Sequence, residues 1–178
     1  PGGTAINSNT ALQNALGGNS NATIADNMVK LSQDVTLEGN LRITGTVVLD
    51  LNGHTLTYAG KGMNDSSYNN PIFLMMASGN LTIKDSDNGG QGTVVQSGGS
   101  GSNYDYAISY KASDAQVTIE GGNFQKGAIA IGLGSLTIHS GSFAGLSISE
   151  GFYGGNPTIN ITNGKFTEIH FMSGTLRM

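Results

Sequence analysis

The sequence has no cysteine, which excludes a disulfide framework and any cysteine-ligated zinc site while leaving the redox compartment open. Charge is scarce: only 11% of the 178 residues are charged, 12 acids against 8 bases, spread evenly along the chain. No basic run is present that would neutralise a row of phosphates, which argues against nucleic acid as a partner. No apolar run approaches the ~18 residues that cross a bilayer, so membrane insertion is not expected. Residue 1 is Pro rather than Met, and the chain reads as an excised or processed piece of a longer protein.

What is abundant points to strands. There are 28 Gly and 18 Asn residues, the bias of many short strands joined by tight corners, where both residue types accept positive φ cheaply. Leu, Ile, Val and Phe together make 41 of 178 residues, above the roughly one-fifth below which disorder becomes the default. By length the chain is expected to be a single domain over 1–178.

The octet "LTIHSGSF" (136–143) reads at first as a hairpin, but it has relatives. "VTIEGGNF" (117–124), "INITNGKF" (159–166) and "LDLNGHTL" (49–56) share its apolar–outward–apolar triplet, its polar Gly-rich corner and an apolar residue five after the triplet ends. Ile119 goes with Phe124, Ile138 with Phe143, Ile161 with Phe166 and Leu51 with Leu56. A third short strand follows each pair, at "PIFLMMASG" (71–79), "YAISYKAS" (106–113), "AIAIG" (128–132), "LSISEG" (146–151) and "EIHFMSG" (168–174). The triplets end at Leu31, Leu51, Ile83, Ile119, Ile138, Ile161 and Met178, in steps of 20, 32, 36, 19, 23 and 17 residues.

Three short strands in about 20 residues suit a parallel β-helix, each coil stacking on the next with like positions superposed at ~4.8 Å. The expected fold is all-β, a right-handed single-stranded parallel β-helix of about six to seven coils with three strands per coil. Its coils would span 28–178, and 1–18 would form an N-terminal segment and capping helix. "TALQNAL" (10–16) supplies that short α-helix, with Thr10 and Gln13 as a capping box, Leu12 and Leu16 on one face, and Gly17 and Gly18 at its end. The inward columns are expected to be Leu51, Ile83, Ile119, Ile138 and Ile161 in the first sheet, with Ile108 to Tyr110, Ile129 to Ile131, Leu146 to Ile148 and Ile169 to Phe171 in the third.

The short helix followed by "VKLSQDVTL", "VVLDLNGHTLT" and "LTIKDSDNGGQGTV" resembles the right-handed parallel β-helix domains of pectate-lyase-like type in bacterial cell-surface and adhesin-type proteins. The resemblance covers nearly the whole chain. It implies the fold and its handedness, the latter also following from the rule for parallel crossovers, and an extracellular place, at the cell surface or secreted. Such scaffolds serve as lyases, hydrolases, adhesins and stalks, so the activity has to be read from the residues.

Catalysis in this family needs carboxylates on adjacent coils. The superposed outward positions Ser32, Asp50, Thr82, Thr118, Thr137, Asn160 and Arg177 carry a single acid. The next column, Asn52, Lys84, Glu120, His139 and Thr162, places Glu120 beside His139, an acid–base pair in principle but more simply a rung of an exposed polar ladder. The outward third-sheet positions Arg42, Ser109, Ala130, Ser147 and His170 contain no dyad, and His54 sits in a corner. "DSDNGG" (85–90) partly matches a calcium loop through Asp85 and Asp87, but Gly89 and Gln96 stand where further ligands belong, so these two are weak metal candidates and no cofactor is required.

Two consecutive long loops remain, at 57–70 and 96–106. They carry Tyr58, Lys61, Asp65 and Tyr68, and then Tyr104, Asp105 and Tyr106, aromatic faces beside acids of the kind that bind sugars. The loop "EGFYGGN" (150–156) adds Phe152 and Tyr153 at another corner. The expected function is a non-catalytic extracellular module for adhesion or glycan binding, with ligand residues Tyr58, Asp65, Tyr68, Tyr104, Asp105 and Tyr106 and a carbohydrate or cell-surface glycoprotein as partner. One alternative is a polysaccharide lyase or hydrolase, with Asp65, Asp105 and Lys61 or Lys111 converging. Another is a structural stalk or filament subunit that self-associates end to end through open β-helix ends.

Overall fold

The computed structural model describes residues 3–58, 71–97, 106–125, 128–148 and 155–178. Within these the fold is all-β apart from one short α-helix and a single 3-10 turn. Strand β1 (Thr4–Ile6) comes first, then helix α1 (Asn9–Ala15), β2 (Ala22–Ala25) and β3 (Met28–Leu31). The chain then proceeds in threes, beginning with β4 (Val35–Leu37), β5 (Leu41–Ile43) and β6 (Thr46–Asp50). There follow β7 (Thr55–Tyr58), β8 (Phe73–Met75) and β9 (Asn80–Lys84), then β10 (Thr93–Gln96), β11 (Tyr106–Tyr110) and β12 (Gln116–Ile119). The last three sets are β13 (Asn123–Gln125), β14 (Ala128–Ile131) and β15 (Ser135–Ile138), then β16 (Ser142–Phe143), β17 (Leu146–Ile148) and β18 (Thr158–Ile161), then β19 (Lys165–Phe166), β20 (Ile169–Phe171) and β21 (Thr175–Arg177).

Each member of a set joins a different sheet. The first sheet orders eight strands as β2-β3-β6-β9-β12-β15-β18-β21, the second orders six as β4-β7-β10-β13-β16-β19, and the third orders seven as β1-β5-β8-β11-β14-β17-β20. From β3 onward the chain therefore visits the three sheets in rotation, and each strand pairs in parallel with the strand one round later.

In the first-sheet strands β9, β12, β15 and β18 the buried positions alternate with partly or fully exposed ones, as a pleated strand with one apolar face requires. The inward columns run through the rounds. Leu49, Ile83, Ile119, Ile138 and Ile161 stack in the first sheet, and Val35, Leu56, Val94, Phe124, Phe143 and Phe166 in the second. In the third sheet Phe73, Ile108, Ile129 and Leu146 form one column and Met75, Tyr110, Ile131 and Ile148 the other. Nearly all of these are buried and belong to one continuous core. The Phe124 and Phe143 rings stack at 5.0 Å and 15°, and Phe143 and Phe166 at 4.9 Å and 12°, a geometry that adds to their area burial.

Several sequence expectations need correction. Leu49, not Leu51, stands opposite Ile83, and Val48, not Asp50, stands opposite Thr82. A shift of two residues leaves every side chain on its own face, so alternation alone cannot detect it. Leu51, still buried, belongs to the corner beyond, and Asp50 falls opposite Lys30 on one side and Lys84 on the other.

The helix starts at Asn9, and its N-cap is Ser8, which has extended backbone and whose Oγ accepts the Ala11 N–H at 3.3 Å. Thr10 and Gln13 form no capping box: the Gln13 amide donates to Asn19 Oδ1 at 2.7 Å and to the Ala22 carbonyl at 2.9 Å. Leu12 and Leu16 are buried as expected. The segment before the helix is itself a strand, β1, parallel to β5. A true hairpin does exist, but between β2 and β3, around Asp26 and Asn27 with φ of 49° and 59°. Asp and Asn tolerate this left-handed backbone better than other non-glycine residues, and two such residues in a row suit the twist of a tight hairpin.

In the third sheet β11 is buried along its whole length, outward residues included. Tyr110 reaches from it across the core, where its hydroxyl donates to the Ser135 carbonyl of the first sheet at 3.0 Å. Burial pushes this phenol well above its ordinary value of 10.0.

Three outcomes follow from this packing. Ile119→Ala is expected to destabilise by about 2–5 kcal/mol, whereas Thr118→Ala on the opposite face costs well under about 1 kcal/mol, both read from chemical denaturation midpoints. Phe143→Leu, which breaks both ring stacks, costs about 1–3 kcal/mol and more than Phe166→Leu at the half-exposed end of the row. Tyr110 keeps its proton in the folded state when the unfolded state loses it above pH 10.0. Stability is therefore unaffected below that pH and falls as pH rises past it, and Tyr110→Phe flattens this alkaline slope in melts recorded across the range.

Candidate functional site

The corner between the first and second sheets has the same length in three successive rounds: Glu120 to Asn123, His139 to Ser142, and Thr162 to Lys165. Its third position is Gly122, Gly141 and Gly164 in turn, with φ of 100°, 130° and 152°. The backbone turns there in a region that disfavours side chains. Space forbids them as well: a Cβ on Gly141 would sit 2.9 Å from the Phe143 ring and 3.0 Å from the Gly122 carbonyl oxygen. Backbone bonds lock the rounds together, Ser142 N–H to the Gly122 carbonyl at 3.0 Å and Lys165 N–H to the Gly141 carbonyl at 2.9 Å.

The row of glycines leaves an open depression of about 410 Å³ running from round to round. Its floor is backbone over the Phe rings. Along one wall stand Asn123, Ser142 and Lys165, in register, and along the other Glu120, Ser140 and Asn163. Asp85 and Gly90 of the longer 85–91 corner close the end nearer the N-terminus, so the groove is acidic at that end and has Lys165 at the other.

The flanking column alternates in sign. Lys30, Asp50 and Lys84 are consecutive rungs, and Glu120, His139 and Thr162 continue it through the bonds Glu120 N–H to the Ile83 carbonyl, His139 N–H to the Ile119 carbonyl and Thr162 N–H to the Ile138 carbonyl. His139 Nδ1 lies 3.2 Å from Thr162 Oγ1, in the round away from Glu120, so the ring is engaged as a rung rather than as the partner of that acid. His54 and His170 lie near Asp34 and Glu168 at 3.6 and 3.2 Å. Among the described residues no three His, Asp or Glu side chains converge in a way that would hold a metal ion.

The weak metal candidates turn their carboxylates to the backbone. Asp85 accepts the N–H groups of Gly53 at 2.8 Å, Gly92 at 2.7 Å and Asp87 at 3.4 Å, and Asp87 accepts that of Gly89 at 3.0 Å. Asp50, 1% exposed, accepts from Asn52 at 3.0 Å and Ser86 at 2.9 Å and lies 3.9 Å from Lys30 Nζ. These two acids, Asp50 and Asp85, therefore tie one corner to the next.

Of the aromatic candidates, Tyr58 is not a loop residue. It ends β7, in register with Leu37 and Gln96, and is 4% exposed; burial raises its phenol above the ordinary range. Tyr106 opens β11 and is 7% exposed. Both are packed into the protein rather than displayed as sugar platforms. Lys61, Asp65, Tyr68, Tyr104, Asp105, Phe152 and Tyr153 lie outside the described residues. The groove is not legible in any one Gly-containing corner taken singly. Its signal was the glycine at the same position in three consecutive octets.

Among the described residues no helix is long and apolar enough to cross a membrane. In comparisons with known proteins, the chain matches no family model, no curated protein and no solved structure.

Asp85→Ala strands three backbone donors and is expected to lower stability by about 2–3 kcal/mol. The loss is the same in calcium and in EDTA if those N–H groups are all the carboxylate serves, and a calcium-dependent difference between wild type and variant in thermal melts reveals a cation at this loop.

Proposed function

We propose that the chain is a right-handed parallel β-helix with three strands per round, of the pectate-lyase-like type found in bacterial surface proteins, and that it is a non-catalytic extracellular module that binds glycan. The rotation of strands, paired in parallel from β3 onward, through three sheets supports the fold, and a right-handed path is the rule for parallel crossovers. One observation carries the function: the glycine-floored groove with Asn123, Ser142 and Lys165 along one wall and Glu120, Ser140 and Asn163 along the other.

An extended hydroxyl-rich chain laid along the stacking direction meets a fresh set of donors and acceptors about every 4.8 Å. Amide and hydroxyl side chains both give and accept hydrogen bonds, as sugar hydroxyls require. The ligand is held by many modest polar contacts, and acid–base chemistry is not part of the reading.

A glycan array tests this. A linear neutral polysaccharide is expected to bind, and Asn123→Ala with Ser142→Ala weakens it by about 1 kcal/mol for each hydrogen bond removed, while Thr36→Ala, in the same sheet but three rounds before Asn123, leaves it unchanged. Silence on the array sinks the glycan reading. Binding that ignores the groove variants but is lost with Tyr104→Ala moves the site to the 96–106 loop.

A further inference from the structure

The sequence contains three Asn-Gly pairs, Asn52–Gly53, Asn88–Gly89 and Asn163–Gly164. In such a pair the glycine nitrogen can attack the asparagine side-chain carbonyl, because no Cβ on the following residue obstructs the approach. The attack needs a backbone N–H free to lose its proton and a side-chain amide free to swing onto it. The structure treats the three pairs differently, chiefly in what the glycine N–H faces.

At the first pair the Gly53 N–H donates to Asp85 Oδ1 at 2.8 Å, and the Asn52 amide is held by the Leu31 carbonyl at 2.9 Å. At the second the Gly89 N–H donates to Asp87 Oδ2 at 3.0 Å. In both, the nucleophile would become an anion against an existing carboxylate, and like charge at that distance opposes ionisation. At the third pair the Gly164 N–H points to its own neighbour, Asn163 Oδ1, at 2.9 Å. Asn163 is exposed, and among the described residues its amide has no other hydrogen-bond partner.

We infer that Asn163 is a self-modification site, at which the folded chain converts asparagine to aspartate and isoaspartate. The Gly164 nitrogen gives its proton to water or hydroxide and bonds to Asn163 Cγ. The Cγ–Nδ2 bond breaks, and the nitrogen leaves as ammonia after taking a proton from solvent. Water then opens the five-membered imide at one of its two carbonyls, giving aspartate or isoaspartate. The net change is one water consumed and one ammonia released, with no oxidation or reduction.

The site lies on the groove wall two residues before Lys165, so the conversion adds a negative charge at the end where the groove has its lysine. The isoaspartate product also lengthens the main chain by one carbon just before the Lys165 N–H bond to the Gly141 carbonyl. This inference rests on local geometry and holds whatever the groove binds.

Incubation of the folded protein at mildly alkaline pH, followed by peptide mass mapping, tests it. The peptide with Asn163 is expected to gain one mass unit and split into two isomers at least about tenfold faster than the peptides with Asn52 and Asn88, since a charge-assisted hydrogen bond must break first at those two. In denaturant the three rates converge. Asp87→Asn, in an exposed loop, removes the restraining carboxylate and speeds conversion at Asn88, whereas Asn163→Gln abolishes the fast phase. Equal rates in the folded protein, a faster Asn88, or a preference for Asn163 that persists in denaturant overturns the inference.

Discussion

Parallel, in-register hydrogen bonding between one round of chain and the next is the constraint on which everything else depends. It places each residue against the equivalent residue one round away, about 4.8 Å off, so each column has to tolerate its own kind. Inside, this favours aliphatics on aliphatics, as with Ile83, Ile119, Ile138 and Ile161, and rings on rings, as with Phe124, Phe143 and Phe166. Outside, it punishes like charges. The column of Lys30, Asp50, Lys84 and Glu120 changes sign at each step, and at the next two rounds the charges give way to His139 and Thr162.

The corners obey the same constraint with different means. Where rounds have unequal corners, buried or half-buried carboxylates hold them: Asp50 and Asp85 each accept backbone N–H groups from neighbouring segments. Where rounds have equal corners, glycines at one position allow the backbones to superpose directly, with Phe edges beneath. The missing side chains make the surface concave, which is the basis of the proposed glycan groove. The same shortage of Cβ atoms leaves Asn163 beside an unobstructed nitrogen. Concavity and chemical lability share one cause at this corner, and the carboxylates that staple the other two Asn-Gly pairs shield them.

Much of the strand pattern was legible in the sequence because its signals are local. The five-residue spacing from Ile138 to Phe143 placed two inward residues on different sheets, and both are buried. The inward residues of the third sheet were likewise read correctly at Ile108, Tyr110, Ile129 and Ile131. The candidate site was hardly legible. Tyr58 and Tyr106 looked like loop aromatics because they border variable stretches, yet they end and begin strands. The Thr10 and Gln13 pattern matches a two-residue capping box, while the actual cap at Ser8 needs only one hydroxyl on an extended residue.

By itself the sequence determined which residues face inward and roughly where the chain bends, since alternation of period two and glycine-rich corners are written residue by residue. Only the tertiary structure decided which inward residue stacks on which. Leu49 and Leu51 satisfy the same alternation, and the choice between them rests on how the corner after Asp50 closes against Ser86, 36 residues away. That choice moved Asp50 from a lone outward acid to a buried staple between Lys30 and Lys84. It depends on hydrogen bonds between distant segments, which no local pattern encodes.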